Sequence, residues 1–333
     1  MSKGLDVGTS YIVLSQESNN EIVYKDFRDA FYVIKPTTPV ATKMIEKGLS
    51  GKVFIKDSDG SFILLGKDAI EKAIERNDNA KRPMSKGVVS AKEKDAKRVL
   101  AFILKEVAGQ ASEPEEKLVF CVPAQPVDQE DEDFDIGYHE DVVKSILSEC
   151  GYDARAINEA EALCYSELGD DDYTGIGVSC GAGMTNVCVM LNGEPTVVFS
   201  TTKSGDWIDR MSAIATGEKD SVVQAEKENG GFKIGEHTDN PILSAVSSYY
   251  DRLIDYTTKQ LSFALSNHKL LPKFKNPLLV VVAGGTSQAN GYIEIFAKKL
   301  LENGFPLEIR EVKHASDPLH AVSKGCLIAS KVL

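Results

Sequence analysis

The segment IGVSCGAGMTNVCVM (residues 176–190) decides the predicted fold. Apolar β-forming residues lead into a glycine turn and out of it again, which is the pattern of a β-hairpin. Gly181 and Gly183 let the backbone approach a phosphate closely, while amides and hydroxyls in such a turn can donate to phosphate oxygens. Alone, a glycine hairpin is most often only a tight turn.

A second segment of the same form, GLDVGTSYIVL (residues 4–14), lies near the start of the chain. It again joins two apolar runs through a turn that contains glycine and hydroxyl residues. Two such turns, one in each half of a chain, can hold one phosphate tail from both sides. The pair therefore predicts a phosphate-containing ligand between two halves of the molecule.

Composition limits the class of protein. The chain has 333 residues, enough for two cores, and its hydrophobic and charged fractions are those of a soluble globular protein. A net charge of -12 argues against a nucleic acid or an anionic membrane as the main partner. The six cysteines show no CxxC pair, and no signal peptide or membrane-spanning apolar run is present. We expect buried, reduced thiols and a cytoplasmic protein.

The two glycine segments resemble the phosphate loops of the actin, Hsp70 and sugar-kinase superfamily. GLDVGTS (residues 4–10) resembles the first loop and GAGMT (residues 181–185) the second. Other landmarks follow in the order of the superfamily: RPMSKGVV (82–89), LVFCVPA (118–124), AINEAEALCY (156–165), KSGDWID (203–209), QAEKE (224–228), VVVAGGTS (280–287) and DPLHAVSKG (317–325). Their order, more than any one of them, makes the chain most similar to prokaryotic actin-like proteins of the MreB and MamK type.

This resemblance implies an α/β fold, the actin-like (ribonuclease H-like) two-domain ATPase fold. Domain I is expected at residues 1–157, with a small insertion at 34–84 and a C-terminal helical segment, 313–333, that returns to it. Its first strands, around residues 5–15 and 21–31, are expected to form a meander, and residues 36–51 of the insertion are expected to be turn-rich and polar. Domain II is expected at residues 158–312. Few residues separate Gly230 from Pro241, where bacterial actins carry a fourth subdomain, so that subdomain is expected to be reduced.

The resemblance also implies a function: a nucleotide-dependent, filament-forming cytoskeletal protein that binds ATP or ADP with Mg²⁺ between its two domains. Asp6 is expected to hold Mg²⁺ through water, and Glu159 to orient the attacking water. The residues expected to bind the nucleotide are Gly8, Thr9, Ser10, Gly181, Ala182, Gly183, Thr185, Gly205, Asp206, Glu226, Gly284, Gly285 and Ser287.

Three positions depart from the superfamily pattern. Ser179 replaces the aspartate that begins the second loop, Met184 replaces a threonine, and Asn186 stands where an acid is common. A serine carries no charge for a metal-bound water, and losing a group that aligns metal and water commonly costs ~10²-fold in rate. The sequence therefore predicts nucleotide binding with slow hydrolysis, and predicts that Ser179→Asp raises turnover.

Other functions remain open at this stage. The acidic loop at residues 128–135 is expected to be solvated, with a protein partner as the alternative. The second candidate function is a monomeric Hsp70-like or degenerate nucleotide-binding regulator that does not polymerise. A small-metabolite kinase is third, and no aspartate base facing a sugar pocket is evident. Neither a Walker A loop nor a complete dinucleotide-binding glycine fingerprint occurs in the sequence.

Overall fold

The computed structural model describes residues 2–128, 134–268 and 271–333. Two short 3₁₀ turns, Gly169–Asp171 and Gly285–Gln288, accompany the strands and helices. In chain order these elements are β1 (Ser2–Val7), β2 (Tyr11–Ser18), β3 (Glu21–Arg28), β4 (Phe31–Ile34), α1 (Pro39–Gly48), β5 (Phe54–Lys56), β6 (Phe62–Leu65), α2 (Lys67–Glu75), β7 (Met84–Ser85), β8 (Val88–Val89), α3 (Ala96–Ala108), β9 (Glu116–Val122), α4 (Ile136–Glu149), β10 (Tyr152–Asn158), α5 (Glu159–Glu167), β11 (Gly175–Cys180), β12 (Thr185–Leu191), β13 (Glu194–Thr201), α6 (Gly205–Thr216), α7 (Asp220–Asn229), α8 (Pro241–Ser266), β14 (Leu278–Ala283), α9 (Tyr292–Glu302), β15 (Ile309–His314) and α10 (Ala321–Ser330).

The first half of the chain forms a five-stranded mixed sheet in the order β10-β9-β1-β2-β3. β1, β2 and β3 make the predicted antiparallel meander, while β9 and β10 join it in parallel. Apolar side chains from α3 and α4, among them Leu100, Ile103 and Val143, pack with Leu5 and Phe120 of the sheet in one buried cluster. The core of this half therefore lies under those two helices.

The second half forms another five-stranded sheet in the order β13-β12-β11-β14-β15. β11 and β12 pair as the predicted antiparallel hairpin, and β14 adds in parallel to β11. All six side chains of β14 are buried, as expected for a parallel strand covered on both faces. Val246 and Tyr250 of α8 and Phe296 of α9 pack with Val280 in the core of this half.

The predicted small insertion forms a three-stranded sheet in the order β4-β6-β5, and it begins at Phe31, slightly before the expected boundary. The expectation that residues 36–51 are turn-rich is wrong, because α1 forms there. Thr38 caps this helix by accepting a hydrogen bond from Ala41 N at 3.1 Å, and Pro39 occupies the first turn. No residue of α1 is buried.

The helices α5 and α10 pack together beside both sheets. Gly325 lies so close to α5 that an added Cβ would meet Ala162 O at 1.7 Å. Ser15 of β2 donates to Ser323 O at 2.6 Å, which ties α10 back to the first sheet. Because α5 and α10 lie where the chain crosses between its halves, this close crossing fixes how the two sheets are joined.

The segment between α7 and α8 is short, as predicted. Residues 230–240 contain no helix or strand in the described chain and lie against α8 and the segment just before α9. Ile234 N donates to Asn290 O at 3.0 Å, and Gly235 N donates to Ser247 Oγ at 2.9 Å. The fourth subdomain of bacterial actins is thus reduced to a connecting loop, so α7 is free to meet other parts of the molecule.

The acidic loop is only partly described, since residues 129–133 lie outside the described residues. Asp128 accepts hydrogen bonds from Thr202 N at 2.8 Å and from the hydroxyl of Tyr256. Asp135 caps α4 by accepting from Tyr138 N. These two acids therefore have structural roles within the chain.

Two further expectations, reduced thiols and no membrane-spanning run, concern the cellular compartment. All six cysteines, each within the described residues, are buried free thiols. In the described part of the chain, no helix combines the length and the apolar character needed to cross a membrane.

Candidate functional site

A cavity of about 540 Å³ lies between the two sheets, at the turns that the sequence singled out. The β1–β2 turn forms one wall and the β11–β12 turn faces it. The 3₁₀ turn after β14 and one side of α7 complete the cavity. Its size and its position at strand ends are those of a small-molecule site. The structure thus brings the two glycine turns onto one cavity.

The first turn is held by one hydrogen bond within it and by two hydrogen bonds from neighbouring segments of the first half. Gly8 N donates to Tyr11 O at 3.0 Å, and Thr9 Oγ1 accepts from Gly87 N at 3.0 Å. Ser10 O accepts from Asp29 N at 2.9 Å. These bonds give the turn a fixed shape beside the cavity.

The second turn touches the first. A Cβ added at Gly183 would lie 2.5 Å from Thr9 Oγ1, so only glycine permits this approach. The carbonyl of Gly181 accepts from Ser204 Oγ at 2.6 Å and from Thr286 Oγ1 at 2.7 Å. The loops before α6 and after β14 therefore hold this turn in place.

Glu159 sits at the base of the cavity, in the first turn of α5, which Asn158 caps through its Oδ1. Ser179 Oγ lies 2.6 Å from Glu159 Oε1, and Asn186 Nδ2 donates to Glu159 Oε2 at 2.8 Å. Asn186 Oδ1 accepts from Ala124 N at 2.8 Å, which fixes the orientation of the amide. The two positions where the superfamily acids are missing thus supply neutral hydrogen-bond partners to Glu159.

The two carboxyl groups of Glu159 and Asp6 at the base of the cavity both have raised pKa values. Burial raises the pKa of Glu159 to about 8, and the nearby charge of Asp6 adds to the rise. Burial also raises the pKa of Asp6 to about 6, against the effect of a hydrogen bond from Cys121 Sγ at 3.1 Å. Paired carboxyl groups with raised pKa values in a cleft are typical of functional sites.

The residues present fit a magnesium nucleotide better than a metal bound by protein alone. In the described chain, no group of three or more His, Cys, Asp and Glu side chains could hold a metal. Mg²⁺ is commonly bound by one or two carboxylates together with substrate phosphates and water. Asp6 faces the cavity with a carboxylate that receives one side-chain hydrogen bond, so it fits this role.

The opposite wall carries an ion pair and aromatic rings. Lys227 Nζ lies 2.7 Å from Asp209 Oδ1 and donates to Gly205 O at 3.4 Å. Phe232 and Tyr250 line the same region beside Gly284 and Gly285. An aromatic and glycine surface next to fixed polar groups suits a flat base attached to a sugar.

Most predicted site residues lie on the cavity. They are Asp6, Gly8, Thr9, Ser10, Glu159, Gly181, Ala182, Gly183, Gly205, Asp206, Gly284 and Gly285. Three do not line it. Thr185 Oγ1 donates to Ser204 Oγ at 3.2 Å, Ser287 Oγ donates to Gly284 O at 2.8 Å, and Glu226 accepts from Asn240. Thr185 and Ser287 support the loops, while Glu226 points away from the cavity.

Sequence reasoning missed the side of α7 that forms the wall. Gln224, Lys227 and Glu228 line the cavity, whereas Glu226 lies on another face of the helix. Residues three and four positions apart share one helix face, and this spacing is the signal that could have found them. Met184, a predicted departure, also lines the cavity and is almost fully buried, with its sulfur near Gly87.

Comparisons with known proteins identify the family and the fold of the chain. The Volactin family model matches residues 1–330. Among solved structures, the MamK double helical filament is 20% identical with a TM-score of 0.73, covering 100% of this chain and 99% of that one. MreB5 of Spiroplasma citri bound to AMPPNP is 15% identical with a TM-score of 0.68, covering 99% and 96%. AlfA from the B. subtilis plasmid pLS32, in a filament structure, is 11% identical with a TM-score of 0.53, covering 98% of each chain. No curated protein matches the chain. The predicted actin-like α/β fold is confirmed.

Proposed function

Because the chain belongs to the Volactin family and has the actin-like fold, we propose that it binds ATP or ADP with Mg²⁺ and assembles into nucleotide-dependent filaments. One observation carries the nucleotide part of the proposal. The two glycine turns meet across one cavity, with Glu159 held between them by Ser179 and Asn186. We retain the division into domain I (1–157 with 313–333) and domain II (158–312), and a cytoplasmic location, as parts of the same proposal.

The turns would hold the phosphates. Gly8, Thr9 and Ser10 approach from the first sheet, and Gly181, Ala182 and Gly183 approach from the second. Asp6 would hold Mg²⁺ through water, and the ion would neutralise charge on the phosphate oxygens. The base and sugar would lie toward Gly284, Phe232 and the inner side of α7.

Hydrolysis is proposed to be slow near neutral pH. A carboxylate can accept a proton from an attacking water, but a protonated carboxyl group cannot. With its pKa near 8, Glu159 is mostly protonated at pH 7. The hydrogen bond from Ser179 lowers the pKa of Glu159, but burial and the charge of Asp6 outweigh it, so the protonation state of Glu159 limits the rate.

The proposal of filament assembly rests on similarity to proteins solved as filaments and on the surfaces that this chain exposes. MamK and AlfA, both of this fold, are described as filaments. Since the loop at residues 230–240 offers little surface, longitudinal contacts would come from the insertion and the two large subdomains. Helix α1 of the insertion exposes Val40 and Met44, two apolar side chains that are each about two-thirds exposed, at 67% and 68%. We place α1 at the contact between successive subunits.

Sedimentation at high speed tests the proposal. The protein alone, with ADP and with ATP, each with Mg²⁺, is centrifuged, and the pellets are imaged by electron microscopy. Filaments that pellet only with nucleotide are expected, and Val40→Ser with Met44→Ser should reduce them. Nucleotide binding without filaments under every condition would favour the monomeric regulator instead. Absence of binding would contradict both functions.

A further inference from the structure

A buried arginine joins the two halves at the edge of the cavity. Arg28, at the end of β3, donates through Nη2 to Glu228 Oε1 on α7 at 2.6 Å. The Arg28 side chain is only 2% exposed, and its guanidinium lies 4.5 Å from the ring centre of Tyr11. Tyr11 and Glu228 both line the cavity, so this ion pair spans from one wall to the other.

A second arginine repeats the arrangement. Arg82, near the end of the insertion, donates through Nη1 to Asp206 Oδ1 at 2.6 Å. Asp206 lies in the first turn of α6, on the cavity wall. The partners are 124 positions apart in the chain, so the contact is not part of the covalent connection between the halves.

The start of α7 makes a third contact. Ser221 Oγ donates to Asp78 O at 2.9 Å and to Asn79 Oδ1 at 3.1 Å, just after α2 of the insertion. Ser221 N also donates to Asn79 Oδ1, at 3.3 Å. Helix α7 therefore meets the first half at both of its ends.

Asp29 leaves both arginines available for these contacts. Its side chain is fully buried, and neither carboxyl oxygen has a hydrogen-bond partner in the described residues. Burial raises the pKa of Asp29 well above its usual value, while the charges of Arg82 and Arg28 oppose the rise. The hydrogen bonds of these two guanidinium groups to acids are instead made to the second half, from Arg28 to Glu228 and from Arg82 to Asp206.

We propose that these three contacts form a clasp across the nucleotide cleft, and that opening of the clasp controls nucleotide release. The clasp is defined by Arg28 with Glu228, Arg82 with Asp206, and Ser221 with residues 78–79. It rests on the proposed nucleotide site and adds the regulation of that site. Because α7 carries two of the contacts and also part of the cavity wall, separating α7 from the first half removes that wall from the ligand.

The short segment at residues 230–240 is consistent with this clasp. It bonds to Ser247 of α8 and to Asn290, and it contains no helix or strand that would stand between α7 and the first half. The insertion and the end of β3 then contact α7 directly. Two of the three contacts between the halves on this side are ion pairs and the third is a set of serine hydrogen bonds, all of which can separate and re-form without unfolding either half.

A double-mutant cycle on release of a fluorescent ADP (mant-ADP) tests the clasp. Release is followed by stopped flow for the unmodified protein, Arg28→Met, Glu228→Gln and the double variant. Each single variant is expected to release roughly tenfold faster, and the double variant no faster than either one, as for coupled partners. If the two effects multiply, Glu228 acts on the nucleotide by itself and the clasp is refuted.

Two more variants complete the test. Ser221→Ala removes the two hydroxyl hydrogen bonds of the third contact without changing charge and keeps the backbone bond to Asn79, so folding should be kept and release should be roughly threefold faster. Glu149→Gln is the matched control, because it breaks the ion pair with Lys105 inside the first half and should leave release unchanged. Binding of mant-ADP with release unchanged in all clasp variants overturns the clasp alone. Failure of the unmodified protein to bind mant-ADP overturns the proposed function and the clasp together.

Discussion

Ser179→Ala is the variant that best examines how the site controls hydrolysis. The change removes the 2.6 Å hydrogen bond to Glu159 Oε1. A hydrogen bond to a charged group stabilises it by about 1.5–3 kcal/mol. Even the lower figure corresponds to roughly a tenfold change in the carboxylate fraction. We expect the Ser179→Ala protein to hydrolyse ATP roughly tenfold more slowly at pH 7.

The assay is phosphate release at saturating ATP and Mg²⁺ between pH 6 and pH 9.5. In the unmodified protein the rate should rise through about pH 8, where Glu159 loses its proton. The Ser179→Ala profile should shift to higher pH and meet the unmodified profile near its upper end. Ser179→Asp, which sequence alone predicts to be faster, adds a second negative charge beside Glu159, so we expect a shift in the same direction. A rate independent of pH, or a faster Ser179→Ala protein, would refute this reasoning.

Three other outcomes follow from the contacts. Asp6→Ala should weaken Mg²⁺-dependent ATP binding by about 10- to 100-fold but change Mg²⁺-free binding little, which calorimetry with and without EDTA checks. Gly325→Ala should destabilise the protein by about 1–3 kcal/mol or more in urea unfolding, because its Cβ would meet Ala162 O at 1.7 Å; an unchanged midpoint would contradict the tight crossing. For His320, burial lowers the pKa, but hydrogen bonds to Asp317 and Asp26 outweigh this and hold the pKa above its usual value. The stabilisation is therefore complete below the unfolded-state pKa and is lost as pH rises through the folded-state value, so His320→Gln should destabilise the protein at pH 5.5 and matter little at pH 9.

The fold could be predicted from the sequence because the patterns that specify its strands and turns are local. Apolar runs on both sides of Gly8 and of Gly181 specify two hairpins, and the buried run of β14 specifies a covered parallel strand. These patterns recur in one order along the chain, so two facing sheets could be predicted. The sequence does not single out helix α1 because none of its apolar residues is fully buried, which leaves the Thr38 cap and Pro39 as its main signals.

The site was harder to predict where a residue's role depends on the direction in which its side chain points. The sequence motif points to Glu226, yet helix geometry turns Gln224, Lys227 and Glu228 to the cavity. The sequence identifies Ser179 and Asn186 only as positions that lack an acid. Their contact with Glu159 forms only when three separate elements, β11, β12 and α5, pack together. A local sequence pattern cannot predict such long-range packing. The clasp residues Arg28 and Glu228 are 200 positions apart and had no signal in the sequence.

Equilibrium binding of Mg²⁺-ATP to the unmodified protein and to Gly183→Val, measured by calorimetry, tests the central claim most directly. The two glycine turns should bind one nucleotide per chain. A valine at position 183 would place its Cβ 2.5 Å from Thr9 Oγ1 and force the turns apart. We predict saturable binding at one site in the unmodified protein and at least tenfold weaker binding in Gly183→Val, with the variant still folded. No binding by the unmodified protein, or equal affinity in the folded variant, would contradict the account.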